Sequence, residues 1–218
     1  MGSVMSVDDE LKVIFSNPHA QTLEGVIAAG GKMSPELLIY AYEHGVFPWP
    51  HEGYPLLWFC PDERGVLDFD ELHLSKSFQK WLRQKKSLYQ VTVNQKFLEV
   101  VQSCRRQKRK GQRGSWINNE IERNYNLLHQ SGHALSIEIM RGDVLVGGIY
   151  GVQSSRYFSC ESMFHHEDNV SKLAFYEMVN LLKSQGHRWM DIQMVTSVCE
   201  GFGGKLISKE DFLLRIGL

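Results

Sequence analysis

The sequence predicts an α+β fold: a mixed sheet with packed helices in its C-terminal two-thirds, preceded by a stretch of short, irregular elements. Three observations carry this. Residues 135–140 alternate apolar and polar as a strand does, and residues 144–152 return as a second strand. Ile117, Ile121, Tyr125 and Leu128 fall at the 4-4-3 spacing of an amphipathic helix. The first ninety residues are irregular, aromatic and built of short elements. The pattern changes near residue 91, between an irregular stretch over 1–90 and a regular one over 91–218, and 218 residues suffice for one substantial domain or one domain with a smaller appendage.

In chain order, Ser34-Pro35-Glu36 opens the first clear helix, with Ser as N-cap, Pro at the first helical position and an acid in the first turn. Leu37, Leu38 and Ala41 give it one apolar side, and Gly45 closes it. Prolines in Phe47-Pro48-Trp49-Pro50 and in the 56–61 stretch favour extended or turn structure. So much aromatic surface is either a core of its own or the wall of a pocket. Helices follow over 94–102 or 95–102 and over 118–130. Arg141-Gly142-Asp143 turns between the first two strands, and residues 156–164 form a third. Residues 171–185 read as a helix with Ala174, Phe175, Met178, Val179 and Leu182 inward, ended by Gly186. A fourth strand covers 189–194, and Ser208-Lys209-Glu210-Asp211 resembles a capping box for a last helix.

Composition excludes several classes. A chain of 218 residues with 43% hydrophobic and 22% charged residues is ordinary for a globular protein. Its longest apolar runs fall far short of the ~20 residues that span a bilayer, and the N-terminus lacks a secretory pattern. Cys60, Cys104, Cys160 and Cys199 lie far apart without a CxxC pair, which fits a reducing cytoplasm and argues against a zinc site. Charge is uneven. Residues 76–113 hold twelve Lys or Arg against one acid, Glu99, a net +11 in a chain whose total is −1. Lys80, Arg83, Lys85, Lys86, Arg105, Arg106, Lys108, Arg109 and Lys110 are thus candidate contacts to a phosphate backbone, or a solvated face. Trp81, Tyr89 and Trp116 could stack on unpaired bases or belong to the core.

Three features suggest chemistry. In Asp191-Ile192-Gln193, residues two apart on a strand share a face, so the carboxylate and carboxamide project together. A buried Asp among Trp189, Met190, Ile192 and Met194 needs hydrogen-bond partners or a functional reason. Glu161 interrupts an otherwise apolar strand, so it is on a wet face or serves a site. Val146-Gly147-Gly148-Ile149-Tyr150-Gly151 carries three glycines, which mark a bulge, tight packing or the close approach of a ligand. His165-His166-Glu167-Asp168 is too contiguous to surround one ion, so no metal is expected. GxSxG, P-loop and GxGxxG motifs are absent.

A set of short motifs, in order along nearly the whole chain, resembles the leucyl/phenylalanyl-tRNA–protein transferase family. They include Met33-Ser34-Pro35, Gly45-Val46-Phe47-Pro48-Trp49, Leu57-Trp58 with Pro61-Asp62 and Arg64, and His73-Leu74-Ser75. They continue with Ser115-Trp116-Ile117, Gly132-His133-Ala134, Ser136-Ile137-Glu138, and Leu145 through Val152. Glu161-Ser162-Met163-Phe164, Ser171-Lys172 and Asp191-Ile192-Gln193 complete the set. The resemblance implies two domains, a small N-terminal α+β domain over residues 1–90 beside a GNAT-like C-terminal domain over 91–218 that uses aminoacyl-tRNA in place of acyl-CoA. It implies Asp191 and Gln193 as a catalytic pair and Glu161 as the acidic active-site residue. Trp49 and Trp116 would hold the 3′-terminal adenosine or the aminoacyl group. Ile149, Phe158, Met163, Phe175 and Met178 would line the side-chain pocket. The basic residues above would contact tRNA.

The implied activity moves Leu, and also Phe or Met, from aminoacyl-tRNA to proteins beginning with Arg or Lys, marking them for degradation by the N-degron route. A cytoplasmic monomer without cofactor, metal or membrane partner is expected. Departures from the family pattern are Val198 in place of a His, the Gly201-Phe202-Gly203-Gly204 segment, and Cys160 in place of a glycine. The alternatives are an acyl-CoA-dependent GNAT-type N-acyltransferase, against which the missing pyrophosphate loop before the 171–185 helix counts, and a non-catalytic tRNA-binding module.

Overall fold

A computed structural model describes residues 6–19, 24–108 and 114–218. In chain order the described elements are α1 (Val7–Phe15), β1 (Val26–Ala29), α2 (Pro35–Glu43), β2 (Phe47–Pro48), β3 (Leu57–Phe59) and β4 (Glu63–Asp68). Then come α3 (Lys76–Lys85), β5 (Gln90–Val93), α4 (Phe97–Arg106), α5 (Asn119–Gln130), β6 (Ala134–Arg141), β7 (Val144–Gln153) and β8 (Phe158–His165). The chain finishes with α6 (Val170–Ser184), β9 (Trp189–Gln193), α7 (Ser197–Gly201), β10 (Lys205–Ser208) and α8 (Lys209–Arg215).

Caps set several of these boundaries. Ser34, Asn118 and Ser208 each accept a hydrogen bond from the third backbone N–H of the helix they precede, satisfying a donor that has no partner within the helix. The strands form a small antiparallel sheet, β1-β3-β2, and a seven-stranded sheet, β10-β4-β9-β8-β7-β6-β5. Every pair in the larger sheet is antiparallel except β8–β9, which α6 connects as a βαβ unit. The mixed sheet with packed helices is the α+β fold that the sequence predicts.

The N-terminal segment is more regular than its composition suggests. β4 lies inside the larger sheet, between β10 and β9, although it belongs to the stretch expected to form a separate domain. Its partners lie more than a hundred residues away, so no local pattern announces the pairing. α4 runs on to Arg106, past the expected end at residue 102. β8 starts at Phe158, because Ser154 and Tyr157 close a turn through Ser154 N–H to Tyr157 O.

The larger sheet is covered on both faces. One core joins Phe97, Val100, Ile121, Tyr125 and Leu128 to the N-terminal Phe15, Leu37, Leu38 and Trp58. The other joins Ile137, Ile139 and Ile149 to Leu173, Phe175, Met178 and Leu182 of α6. Each such side chain, fully buried, contributes roughly 1.5–3 kcal/mol. Gly147 and Gly148 serve this packing: a Cβ would lie 2.8 Å from Val170 at the first and 3.0 Å from Phe164 and Val100 at the second. Among the described residues no helix is long and apolar enough to cross a membrane.

Candidate active site

The site is built where β8 and β9 meet. Their pairing centres on Ser159 and Asp191, both fully buried. Asp191 accepts from four donors: Arg64 Nε (2.9 Å) and Nη2 (2.7 Å), the Ser159 hydroxyl (2.8 Å) and the Gln193 backbone N–H (2.8 Å). Arg64, 1% exposed, reaches it from β4. The guanidinium lies between the Phe47 and Phe212 rings, 4.5 and 4.6 Å from their centroids, and also donates to Gly45 O. Burial works against the Arg64 charge, but the Asp191 carboxylate more than offsets it and raises the arginine pKa. Asp191 is thus fully engaged and does not line the cavity described below. The hydrogen-bond partners that the sequence reading required of a buried Asp here are thus present, and of the Asp191–Gln193 pair only Gln193 lines the cavity.

Two bulges aim the groups that do face the cavity. In the β7–β8 ladder Tyr150 opposes Ser162 and Gly151 opposes Cys160, leaving Glu161 as the extra residue. A bulge turns its side chain out of the ladder. Gly151 is required there, since a Cβ would stand 2.3 Å from both the Phe158 ring and Ser159 O. In the β4–β9 ladder Gly65 opposes Gln193 and Val66 opposes Asp191, so Ile192 is extra. The chain then folds tightly at Gln193, whose φ is +57°, with Met194 N–H bonded to Ile192 O at 2.6 Å. Positive φ in a non-glycine residue is strained and persists where surroundings enforce it. Here the Asp191 carboxylate holds the Gln193 N–H, and the Gly65 backbone packs beneath the turn.

The Gln193 carboxamide spans the gap between the strands. Nε2 donates to Glu161 Oε1 at 2.9 Å and to the Ser159 hydroxyl at 3.3 Å. The Tyr42 hydroxyl donates to Glu161 Oε1 at 2.7 Å and shares a 2.6 Å hydrogen bond with the Tyr125 hydroxyl, itself 3.5 Å from Oε2. Burial pushes the Glu161 carboxyl up to about 8, and the Asp191 charge adds to the rise while the Tyr42 hydrogen bond opposes it. Burial likewise raises both tyrosines well above their usual range.

These groups open on a cavity of about 440 Å³. Of the residues implicated by sequence, Glu161, Gln193, Trp49, Trp116, Met163 and Phe175 line it. Ile149, Phe158 and Met178 do not; all three are fully buried in the core behind the wall. Cys160 and Val198, two of the departures from the family pattern, also line the wall, and residues that sequence reasoning missed complete the site: Ile192 and Cys199 on the wall, and Arg64, Ser159, Tyr42 and Tyr125 as supports. Arg64 stood in a quoted motif, but nothing local pointed to its partner. Burial raises the Cys160 and Cys199 thiols, which disfavours a thiolate nucleophile.

The basic residues divide. Lys80, Arg83 and Lys85 on α3, and Arg106 and Lys108 after it, are exposed, and Lys108 lines the cavity. Lys86 instead pairs with Glu177, and Arg105 binds Asn119 and Glu122, tying α4 to α5. Arg109 and Lys110 lie outside the described residues. Trp81 stacks between Phe78 and Tyr89, at 5.9 and 5.7 Å, so both it and Tyr89 are engaged in packing. His165-His166-Glu167-Asp168 forms no group able to hold a metal among the described residues.

An apolar cavity with a carboxamide and a buried carboxyl at its wall, both braced from behind, has the parts needed to position a substrate and to handle a proton. Family comparison supplies the class. The family model described as leucyl/phenylalanyl-tRNA protein transferase matches residues 66–217, and that of its N-terminal domain matches residues 31–62. Leucyl/phenylalanyl-tRNA–protein transferases from Flavobacterium johnsoniae and Flavobacterium psychrophilum are 45% and 41% identical to the chain. The matches cover 87% and 91% of this chain and 89% and 93% of those relatives. A relative of the same name from Pseudomonas fluorescens is 44% identical over 86% of this chain and 82% of its own. The chain belongs to the leucyl/phenylalanyl-tRNA protein transferase family and is an aminoacyltransferase. Among solved structures, that of L-PGS from Bacillus licheniformis overlaps with a TM-score of 0.42 at 12% identity, over 83% of this chain and 61% of that one.

Proposed function

We propose that this enzyme moves Leu, and also Phe or Met, from aminoacyl-tRNA to the N-terminal α-amino group of proteins beginning with Arg or Lys, marking them for degradation by the N-degron route in the cytoplasm. The observation that carries the reading is the Gln193–Glu161 pair on the wall of an apolar cavity. In this reading Trp49 and Trp116 receive the terminal adenosine, while Met163, Phe175 and Ile192 receive the apolar side chain of the amino acid. The tRNA body lies on Lys80, Arg83, Lys85, Arg106 and Lys108. Each methylene in such a pocket discriminates by only about 1–3 kcal/mol, which suits a small set of apolar donors.

The donor ester is already activated, so positioning and proton transfer are the tasks left to the protein. Both N–H bonds of the Gln193 carboxamide point to Ser159 and Glu161, so its oxygen accepts from the attacking amine and aims the nitrogen lone pair at the ester carbonyl. An α-amino group of pKa about 7.7–8.0 keeps an appreciable neutral fraction at cytoplasmic pH. As the C–N bond forms, the carbonyl becomes an oxyanion and the nitrogen becomes cationic. The ionised fraction of Glu161 accepts the nitrogen's proton. It returns that proton to the ribose oxygen as the ester C–O bond breaks. Carboxylate character at Glu161 also favours a cationic first residue in the acceptor.

The test is transfer of radiolabelled leucine from Leu-tRNA to a protein beginning with Arg, beside the same protein beginning with Ala. Label on the Arg protein alone is expected. Equal labelling would remove the acceptor rule, and label on neither would overturn the reading.

A further inference from the structure

Beside the catalytic cavity lies a second concavity of about 300 Å³, and Val198 belongs to both walls. Consecutive residues alternate between the two: Ser171 and Thr196 line the first, Lys172 and Ser197 the second. The second is at the lower end of ligand-site sizes, and no Asp or Glu lines it. Its floor is aromatic, with Phe78 edge-on to Phe202 at 5.6 Å. Its rim carries Lys172, His73, Ser75 and Ser197. The His73 backbone N–H donates to Phe202 O at 2.9 Å, which fixes the entry to α3 against the end of α7 and builds the hollow.

An ammonium, an imidazole and two hydroxyls around an apolar floor suit a phosphodiester with the sugar or base attached to it. Lys172 has no ion-pair partner among the described residues, so its charge is available. Ser75 caps α3 and Phe78 lies in its first turn, so the hollow abuts the start of a helix that also carries the exposed Lys80 and Arg83. A single side chain, Val198, thus separates the hollow from the catalytic cavity.

We infer that this hollow binds the backbone phosphate of the nucleotide preceding the terminal adenosine, with Lys172 as its main contact. The strand then runs from the cavity over Val198 and onto α3. This rests on aminoacyl-tRNA being the donor.

The test compares wild-type enzyme, Lys172→Gln and Lys172→Arg on two donors, Leu-tRNA and leucyl-adenosine lacking any 5′ phosphodiester, with an Arg-starting acceptor. Lys172→Gln should raise the KM for Leu-tRNA about five- to tenfold, Lys172→Arg should restore most of it, and leucyl-adenosine kinetics should not change. One single-strand phosphate contact accounts for about 0.7 of the log–log salt slope, so between 50 and 200 mM salt the wild-type KM should rise about 2.6-fold more than that of Lys172→Gln. If leucyl-adenosine turns over too slowly to measure, the salt slope decides. An unchanged KM and slope in Lys172→Gln would overturn the inference while leaving the donor reading intact. Equal loss on both donors would also overturn it, placing Lys172 in the catalytic cavity. Wild-type enzyme inactive with every charged tRNA would sink the donor reading and this inference together.

Discussion

Replacing Arg64 with Met strips Asp191 of a bidentate partner in a place where water does not reach. Asp191 is 0% exposed, and Arg64 supplies two of the four hydrogen bonds to its carboxylate. Breaking a buried ion pair from one side costs about 3–5 kcal/mol, because the surviving charge is left desolvated. For a chain of this size each kcal/mol moves Tm by about 2–4 °C, so a fall of about 6–20 °C is expected. Replacing both residues, as in Arg64→Met with Asp191→Leu, removes the stranded charge and should recover at least half of the loss. Activity should not recover, since the second substitution takes the acceptor away from the Gln193 N–H and the Ser159 hydroxyl. Urea denaturation followed by circular dichroism measures the stabilities, and leucine transfer measures the activity. A single variant within about 1 kcal/mol of wild type, or a double variant no more stable than the single, would refute the argument.

Three further outcomes follow from the site. Glu161 has an ordinary value of 4.5 when unfolded and about 8 when folded, so between those pH values the native state holds more protons and stability falls as pH rises. Glu161→Gln should flatten that fall in thermal melts recorded from pH 5 to 8.5, and a slope equal to wild type would count against the burial of this carboxyl. Gly65→Ala would set a Cβ 3.0–3.2 Å from the Met194 and Gln193 backbone, which has little room to move. A loss of about 1–3 kcal/mol by denaturation and a larger fall in kcat than in substrate affinity are expected; normal kcat would show that the turn tolerates displacement. Trp116→Ala should raise the KM for Leu-tRNA through lost stacking worth about 1–3 kcal/mol, with kcat little changed. An unaltered KM would remove Trp116 from the adenosine site.

How much of this was legible in the sequence depended on whether the signal was local. Alternation in β6 and β7, the inward face of α6, and the Ser34 and Ser208 caps depend on neighbours within a few residues and were readable. Glu161 stood out because a carboxylate is costly in an apolar strand, and the bulge that presents it follows from the same conflict. The Arg64–Asp191 pair was not readable: 127 positions separate its members, and β4 has no periodicity strong enough to announce a strand inside the larger sheet. Sequence placed Ile149, Phe158 and Met178 beside the pocket, yet they lie one layer behind it. In strands buried on both faces, alternation gives the face of a residue and not what covers it. The turn at Gln193 is equally silent, because its positive φ is imposed by Asp191 and Gly65 rather than by its own preferences.

The placement of Phe212 over Arg64 has a consequence for how the enzyme comes to life. β10 pairs with β4, Lys209 holds Asp62, and Arg215 holds Asp68, so the segment bearing Arg64 is gripped by residues 205–215. Those residues are synthesised long after β4, and chains fold progressively as they emerge. Until they arrive, the guanidinium lacks one of its two aromatic faces and β4 remains the edge of the sheet. Catalytic competence is therefore a late event in the birth of each molecule, and a cut between residues 205 and 215 should silence the enzyme rather than loosen its choice of substrate.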